Sequence, residues 1–468
     1  MKKVLRFFAT AFALSLLYVA TVIGLSAQTF TTLVNFDGTD GAEAAYMSLV
    51  QGVDGNFYGT TGAGGHGGTV FKINSQGTMT TLHDFCALQD CADGYYPLAG
   101  LVQATDGNFY GTTYYGGASH NVGTVFKITP GGTLTTLYKF CEEAGCPDSG
   151  YPRGQLAQGP DGNFYGTTSS TVFKITPEGT LTTLYTFCTQ TGCPDGAFPY
   201  AGLVLGNDGN FYGTTESGGF SINYGTVYKI TPGGELTTLH TFDLTDGGYP
   251  YAELIQATDG NFYGTTSVGG LYEGGTVFKI TPDGTLTTIY NFCAVSGCLD
   301  GAEPFAGLVQ ANDGNFYGTT GYGGPNGNDG TVFTVTPEGE LTTLHGFDKT
   351  DGDTVEGGLL QATNGIFYGT TAYGGANGNG TIFSLSVGLG PFVETLPTFG
   401  PVGRKVRILG TDLTGATSVT FNGTAATFTV ALPTEIKTTV PTGATNGKVQ
   451  VTTPSRTLTS NHVFRVRP

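Results

Sequence analysis

The stretch DGNFYGTT, residues 54–61, decides the fold of this chain because it returns at regular intervals. Five identical copies and one altered copy, NGIFYGTT, follow; they begin at Asp106, Asp161, Asp208, Asp259, Asp313 and Asn364. Successive copies start 52, 55, 47, 51, 54 and 51 residues apart. A period of this size is typical of the four-stranded blade of a β-propeller.

Each repeated unit contains four short runs with the composition of β-strands. They are an apolar run similar to LVQA, then NFYGTT, TVFKI and LTTLY. The turn signals DGN and TPxG stand before the second and fourth runs. In TVFKI, Phe71 and Ile73 alternate with Val70 and Lys72, as the two faces of a strand require. The pattern therefore predicts antiparallel, four-stranded units.

The two ends of the array predict how it closes. The last unit stops after its third run, whereas residues 29–36 (TFTTLVNF) form a fourth run with no unit before it. Pairing the two ends removes an exposed sheet edge, and an open array would instead need capping repeats. The sequence predicts an all-β fold, a seven-bladed β-propeller over residues 28–388 closed by its N-terminal strand.

The repeated pattern DGNFYGTT, GG, GTVFKITP, GTLTTLY extends from about Thr29 to Val387. It resembles the GloVer tandem repeats of secreted bacterial proteins of the choice-of-anchor type. The resemblance implies an extracellular or cell-envelope protein. It brings no established catalytic or binding residues to these positions.

The tail, residues 391–468, resembles an IPT/TIG domain. The resemblance rests on PTFGPVGRKVRILGTDL (397–413), VTFNGTAA (419–426), VPTGATNGKVQVTT (440–453) and FRV (464–466). Its alternating apolar runs between Gly, Pro and Asn turns suit a small immunoglobulin-like β-sandwich. Such modules act as spacers or bind other proteins.

Residues 1–27 have the layout of a secretory signal peptide. Lys2, Lys3 and Arg6 precede an apolar run from Phe7 to Leu25, which small residues follow. The alternative is an uncleaved membrane anchor, because the run is nearly long enough to span a bilayer. We expect a secreted or cell-envelope protein with no membrane span after signal removal.

Charge limits the possible partners. The chain has a net charge of −17; the repeated region between the signal and the tail has about −25, and the basic residues of the signal and of the tail offset part of it. Such an acidic surface repels phosphate groups, so nucleic acid and anionic membrane surfaces are poor candidate partners. Basic ligands, metal cations and neutral glycans remain. The 78 glycines accompany 39% apolar residues, so they indicate turns and not disorder.

The eight cysteines occur as four pairs, each separated by five residues and each after the Phe that ends a fourth strand. The pairs are Cys86 and Cys91, Cys141 and Cys146, Cys188 and Cys193, and Cys293 and Cys298. In the equivalent loops without cysteine, the sequences FDGTDG, FDLTDG and FDKTDG are four residues shorter. The spacing predicts four local disulfides in an exported chain. Zinc is the alternative, but pairs on separate blades would have to converge.

The variable loops predict a binding face. Loops between the second and third strands and loops between blades differ in sequence, and both belong to the same face of a propeller. The residue after the loop Pro should surround the channel mouth; this position holds Tyr46, Leu98, Arg153, Tyr200, Tyr251, Phe305 and Glu356. Glu253 occupies the position two residues later in its own unit. Aromatic and charged side chains in a ring suit a sugar or a peptide. The alternative is that they only fill the channel and pack between blades.

Two functional classes follow from these residues. The favoured one is an exported, noncatalytic binding or surface-interaction protein for a glycan, protein or peptide ligand. The alternative is a carbohydrate-active hydrolase or lyase that uses Glu253 and Glu356 at the same mouth. No cofactor is expected. Carboxylate clusters such as Asp37 with Asp40 could hold calcium, but they lack the ligand spacing of a known calcium loop.

Overall fold

The structure is a computed structural model that describes residues 28–117, 120–143, 145–219 and 223–467. The predicted signal peptide, residues 1–27, lies outside these ranges. Within them, no helix is both long and apolar enough to cross a membrane.

The repeated part forms four-stranded antiparallel sheets, seven of them within the described residues, and their strand order follows the chain in all but the last. The first strand of each unit has only two residues, because the DGN turn of the same unit begins directly after it, as the bond from the Gly52 amide to the Asn56 carbonyl shows. In chain order the strands are β1 (Thr29–Asn35), β2 (Val50–Gln51), β3 (Phe57–Thr61), β4 (Thr69–Ile73), β5 (Met79–Asp84), β6 (Val102–Gln103), β7 (Phe109–Thr113), β8 (Thr124–Ile128), β9 (Leu134–Lys139), β10 (Ala157–Gln158), β11 (Phe164–Thr167), β12 (Thr171–Ile175), β13 (Leu181–Thr186), β14 (Val204–Leu205), β15 (Phe211–Thr215), β16 (Thr226–Ile230), β17 (Leu236–Thr241), β18 (Ile255–Gln256), β19 (Phe262–Thr266), β20 (Thr276–Ile280), β21 (Leu286–Asn291), β22 (Val309–Gln310), β23 (Phe316–Thr320), β24 (Thr331–Val335), β25 (Leu341–Gly346), β26 (Leu360–Gln361), β27 (Phe367–Thr370) and β28 (Thr381–Ser386). A short 3-10 helix spans Gln89–Cys91.

The last repeated sheet combines the two ends of the array. Strand β1 pairs antiparallel with β28, from Thr29 opposite Ser386 to Asn35 opposite Thr381. The sheet therefore has the order β1-β28-β27-β26. This is the pairing that the split unit predicts for residues 29–36.

Adjacent sheets pack through the Phe-Tyr pair of each repeat. Neighbouring residues of a strand point to opposite faces, so Phe contacts one neighbouring sheet and Tyr contacts the other. Ring centroids of Tyr58 and Phe109 lie 4.1 Å apart. The same Tyr–Phe contact recurs between the following units. Tyr368 of the last unit packs against Phe57 of the first, also at 4.1 Å. The core between sheets is thus a closed series of aromatic pairs, in which the last unit contacts the first.

The Asp of each DGN turn accepts hydrogen bonds from the turn backbone and from the hydroxyl of the Tyr four residues later. Asp54 Oδ1 accepts a hydrogen bond from the Asn56 amide at 3.2 Å. Asp54 Oδ2 accepts one from the Tyr58 hydroxyl at 2.8 Å. Gly55 has φ +82°, where a side chain is rarely tolerated. The motif recurs because one turn serves both the backbone and the core.

The tail forms two sheets, with orders β29-β31-β35-β34 and β30-β37-β36-β32-β33. Their shared core includes the fully buried Ile408, Ile436 and Val449. The strands are β29 (Glu394–Leu396), β30 (Phe399–Gly400), β31 (Lys405–Leu409), β32 (Ser418–Phe421), β33 (Thr424–Ala425), β34 (Phe428–Leu432), β35 (Glu435–Thr439), β36 (Gly447–Thr452) and β37 (Thr457–Val466).

The tail packs against the DGN-turn end of the repeated sheets. Thr434 Oγ1 donates to the carbonyl of Val53 at 2.8 Å. Arg467 donates to the carbonyl of Asn207 at 3.0 Å. We name this end of the molecule the base and the opposite, variable-loop end the loop face. The uniform turns of the base therefore hold the tail in addition to forming turns.

Candidate functional site

The two classes of variable loop share the loop face, as the strand order requires. Isolated antiparallel bridges join the loop between blades to the loop between the second and third strands of the same unit. Examples are Ala42 with Ala63 and Ala302 with Tyr322. Within the described residues such a bridge occurs in six of the seven units, so in these units the two loops are tied to each other.

Each of the four predicted cysteine pairs forms a disulfide within one loop: Cys86 with Cys91, Cys141 with Cys146, Cys188 with Cys193, and Cys293 with Cys298. All eight cysteines lie within the described residues, and none of them is free there. The sulfurs bond to each other, so this arrangement does not use them as zinc ligands. The disulfides close the loops that are four residues longer than their counterparts.

A side-chain contact that was not predicted from the sequence anchors both the disulfide loops and the short loops. A Tyr or His near the end of the fourth strand bonds to the Asp that ends the loop. Tyr138 donates to Asp148 Oδ2 at 2.8 Å in a disulfide loop. His240 Nε2 lies 2.7 Å from Asp246 Oδ2 in a short loop. The interchange of Tyr and His at one position was the sequence signal for this shared role.

At the centre of the loop face, the predicted positions converge on a narrow pocket of about 60 Å³. We name its upper residues the mouth ring; they are Tyr46, Arg153, Tyr200, Tyr251, Phe305 and Glu356. Below them lie the residues two positions later, which are Ser48, Gly100, Gln155, Gly202, Glu253, Gly307 and Gly358. The structure therefore brings together seven of the eight predicted ligand-binding residues. Ligand binding by them stays a prediction.

Leu98 is the exception, and the structure corrects its placement. Its side chain is only 6% exposed and does not line the pocket. Leu98 is the one purely aliphatic residue at its position, so burial is more favourable for it than exposure at a wet channel mouth. The repeat alignment could not show this, because it records position in the unit and not side-chain direction.

Arg153 occupies the middle of the mouth ring. Its guanidinium carbon lies 4.3 Å from the ring centroid of Tyr46, 5.1 Å from that of Tyr200 and 5.8 Å from that of Tyr251. A guanidinium among aromatic faces is stabilised by cation–π attraction. This explains why the pocket is small, since the chain's own cation takes the space between the rings.

Carboxylates hold two of the ring tyrosines in place. The Tyr46 hydroxyl donates to Glu356 Oε1 at 2.9 Å. The Tyr251 hydroxyl donates to Glu216 Oε1 at 2.6 Å. Burial, together with these carboxylates, raises the pKa of both tyrosines, and burial also raises the pKa of Glu356. The rings are therefore preorganised, and both stay uncharged donors.

Glu253 lies deeper in the channel than the mouth ring. A side-chain carbon on Gly202 would approach its Oε2 to 2.7 Å, so the glycines of neighbouring units make room for this carboxylate. Burial raises the pKa of Glu253 to about 7. Near neutral pH the group can therefore either donate or accept a proton.

An outer ring surrounds the mouth ring and was missed from the sequence. In six units it is the residue just before the loop Pro or its aligned position, and in the first unit it is one residue earlier; the members are Glu43, Tyr96, Tyr151, Phe198, Tyr249, Glu303 and Thr354. All of them have φ between +52° and +60°. Non-glycine residues in this region are strained, and such strain clusters at functional sites. Phe198 is 46% exposed although it is aromatic. The sequence indication for this ring was a second position in the repeat, before the loop Pro, that is rich in Tyr, Phe and Glu.

A groove on the loop face extends outward from Glu303. It has a volume of about 370 Å³ and is lined by Tyr272, Glu273, Glu303 and Tyr322 beside the disulfide Cys293–Cys298. Burial raises the pKa of Glu303. Two carboxylates between two phenol rings form an acidic, aromatic surface that suits a basic group.

The carboxylate clusters considered for calcium serve their own turns. Asp37 Oδ1 accepts hydrogen bonds from the Thr39 amide at 2.8 Å and from the Asp40 amide at 3.1 Å. Asp243 and Asp348 bond to the Thr two residues later in the same way. These bonds explain the repeated Asp-x-Thr pattern without a metal. Calcium binding at these loops stays a hypothesis.

Repeated four-stranded sheets with their variable loops on one face define an all-β, propeller-like tandem-repeat protein. The chain belongs to the Gloeobacter/Verrucomicrobia repeat family, whose sequence model matches residues 19–171, 146–299 and 204–429. These regions overlap and together span most of the chain, which confirms the GloVer repeat prediction. Comparison with curated proteins finds no match.

Solved structures share the fold at low sequence identity. A streptogramin B lyase is 15% identical with a TM-score of 0.55, and the match covers 77% of this chain and 97% of that one. Virginiamycin B lyase from Staphylococcus aureus is 16% identical with a TM-score of 0.52, over 77% and 99%. An extracellular domain of a hybrid two-component system from B. thetaiotaomicron is 12% identical with a TM-score of 0.52, over 91% and 54%. At these identities the likeness shows the fold alone.

Proposed function

We propose that this chain is an exported binding protein whose ligand sits on the loop face, at the mouth ring and outer ring. Its scaffold is a seven-bladed propeller closed by β1, followed by an immunoglobulin-like module of the IPT/TIG type. The observation that carries the proposal is the convergence of aromatic and charged side chains, on strained backbone, around one channel mouth. The cyclic series of Tyr-Phe contacts supports the closed ring.

The chemistry of the loop face favours a ligand with basic groups, such as a peptide that carries lysine or arginine. Glu43, Glu216 and Glu356 lie at or next to the mouth and Glu303 lines the adjoining groove, whereas Arg153 is the basic side chain of the mouth ring. Phenol rings next to carboxylates recognise ammonium and guanidinium groups. Neutral glycans remain compatible, because tyrosines also stack on sugar rings.

Export is supported by the disulfides. Local disulfides persist in oxidising compartments and are rare in the cytosol. A secreted or cell-envelope location therefore fits both the disulfides and the charged and apolar pattern of residues 1–27.

A second candidate function is a hydrolase or lyase acting on carbohydrate. The observation that favours it is Glu253, whose pKa of about 7 suits general acid–base catalysis at neutral pH. Glu356 lies at the mouth above it and has a raised pKa of its own. Both candidates place the ligand at the same mouth.

Binding to a glycan and peptide array, followed by calorimetric titration of the best ligand, tests the proposal. Tyr200→Ala and Tyr251→Ala should each weaken binding by at least about 1 kcal/mol, because hot-spot aromatics supply most of the contact. Asn210→Ser at the base is the control and should bind normally. Equal affinity in the tyrosine variants, or loss only in the base variant, would move the site off the loop face.

The same ligand distinguishes binding from catalysis. If the chain only binds, the ligand is recovered unchanged after long incubation, and Glu253→Gln retains affinity. If the chain is an enzyme, a glycan is converted to product and Glu253→Gln abolishes the conversion.

A further inference from the structure

A second cavity lies at the base, between the inner strands and the tail. Its volume is about 420 Å³, within the range of pockets for small molecules. The repeated sheets contribute residues 203–207 and 253–258 to its lining. The tail contributes Phe399, His462, Arg465 and Arg467. The cavity therefore exists only while the tail is docked, and Glu253 joins it to the channel.

Two guanidinium groups give this cavity its charge. Arg467 is held by the Asn207 carbonyl at 3.0 Å and lies over the Phe399 ring at 5.0 Å. Burial and the neighbouring charge of Arg467 lower the pKa of Arg465, so the two guanidinium groups repel each other electrostatically. Within the described part of the chain, the ion pairs of arginine are those of Arg407 and Arg456. Arg465 and Arg467 thus face the cavity without a carboxylate within ion-pair distance.

Glu253 is the one carboxylate among the residues that line the cavity, and it is not within ion-pair distance of Arg465 or Arg467, so it does not pair with their positive charge. His462 keeps much of its surface exposed, but its protein surroundings and the charge of Lys448 lower the pKa of its imidazole, so it is uncharged at neutral pH. Val204, Leu205 and Ile255 supply an apolar wall on the side of the repeated sheets. Two like charges beside an apolar wall are unfavourable unless an anion joins them.

We propose that this cavity binds a small organic anion, with its acidic group on Arg465 and its apolar body along the inner strands and Phe399. Arginine suits this role because its planar donors match a carboxylate or sulfonate in two parallel hydrogen bonds. The site lies at the base, at the other end of the channel from the mouth ring, and Glu253 is the one side chain that lines both pockets. Its ligand has the opposite charge to the one that the loop face attracts.

Two fluorescent probes of the same shape test the proposal on the full mature chain. 1-Anilinonaphthalene-8-sulfonate carries a sulfonate, and N-phenyl-1-naphthylamine is its uncharged counterpart. The sulfonate probe should bind one per chain, and Arg465→Gln should weaken it by about tenfold or more, as expected for a lost charge-assisted pair. The uncharged probe should bind both proteins equally. Arg465→Lys should restore part of the sulfonate affinity.

Lys437→Gln is the matched control, because Lys437 lies in a separate basic groove of the tail with Arg404 and Arg407. It should leave sulfonate binding unchanged. Equal sulfonate affinity in wild type and Arg465→Gln, equal loss of both probes, or loss in Lys437→Gln would overturn the proposal. Near-ultraviolet circular dichroism verifies that each variant is folded.

The absence of tryptophan from the sequence allows the probe to be located. His462→Trp places a single tryptophan in the cavity, and Leu432→Trp places one on the exposed face of the tail, where Leu432 is 40% exposed. Energy transfer to the bound sulfonate probe should be strong from position 462 and weak from position 432. Equal or reversed transfer would show that the probe binds elsewhere and would refute the site.

Discussion

Glu253 shows how a single residue can differ from the repeat that contains it. Four of the other six units have glycine at the equivalent position, and a side chain on Gly202 would collide with the Glu253 carboxylate. The carboxylate lines the channel and is surrounded by protein, which explains a pKa of about 7. Its position between the mouth pocket and the base cavity makes it the one side chain shared by both linings.

Replacing Glu253 should change the pH dependence of stability. The folded-state pKa is above the ordinary value of 4.5, so the folded protein holds this proton more tightly than the unfolded chain does. The contribution of Glu253 to the free energy of unfolding is therefore fully present below about pH 4.5 and is lost as the pH rises through about 7. Glu253→Gln should therefore match wild type at pH 4.5 and be more stable at pH 8, by up to about 3 kcal/mol.

Melting temperatures of both proteins across this pH range measure the effect. Glu394 also has a pKa raised to about 7, but it is present in both proteins and cancels in the difference. Glu178→Gln, in an exposed turn, is the control and should follow wild type. A Glu253→Gln difference that is constant with pH would contradict the burial of this carboxylate.

At the scale of strands, β1 determines whether the repeated sheets join end to end. Phe30 packs against Phe383 at 5.3 Å and against Phe347 at 5.6 Å, so it bridges the last two units. Phe36 is fully buried and contacts Phe71 of the first unit. One strand therefore links the last units to the first.

Deleting residues 29–36 should destabilise the repeated part and promote aggregation. The deletion exposes the edge of β28 and uncovers the aromatic rings of both neighbouring units. Phe36→Ala alone should cost roughly 3–5 kcal/mol, as expected for a buried Phe. Thermal melting and size-exclusion chromatography measure both variants, with exposed Thr31→Ala as the control. A monomeric deletion variant with an unchanged melting temperature would show that β1 does not close the array.

The disulfide loops should be stabilising but not essential for the fold. The short loops of other units reach the same Asp anchor without cysteine, as His240 and Asp246 show. Removing one small covalent ring, in Cys188→Ser/Cys193→Ser, should lower stability by roughly 2 kcal/mol. Nonreducing peptide mapping should recover each pair within its own loop. Disulfides between units, or free thiols in exported material, would disprove the local pairing.

At the scale of the whole molecule, the loop face and the base differ in charge and in what they contact. The loop face carries carboxylates and tyrosines, whereas the base receives the basic tail. Attraction between an acidic repeated region and a basic tail favours docking, and Thr434 and Arg467 fix its geometry through backbone carbonyls. The base cavity follows from this docking.

Weakening the docked interface should release the tail without unfolding the sheets. Thr434→Ala/Arg467→Ala should increase proteolysis at the exposed linker glycines Gly388 and Gly390 and enlarge the radius of gyration in solution scattering. The melting temperature of the repeated part should change little. Unchanged proteolysis and scattering would mean that other contacts hold the tail.

The sequence by itself determined the repeated strands, the pairing of the two ends and the local disulfides. These features depend on contacts that are close in the chain or that recur in every unit, such as the bond from Asp54 to Tyr58. An alternating pattern and a fixed turn specify them without long-range information. The mouth ring was also predictable, because one position per unit must meet at a common axis.

Only the tertiary structure decided which way Leu98 faces, that Arg153 fills the mouth, and that the tail packs on the base. Each depends on residues far apart in the chain. Leu98 and Arg153 occupy the same position of their units but differ in polarity, so burial suits one and exposure suits the other. The base cavity arises from carbonyls of one region and arginines of another, and no local pattern encodes such a contact because its energy exists only after both parts have folded and met.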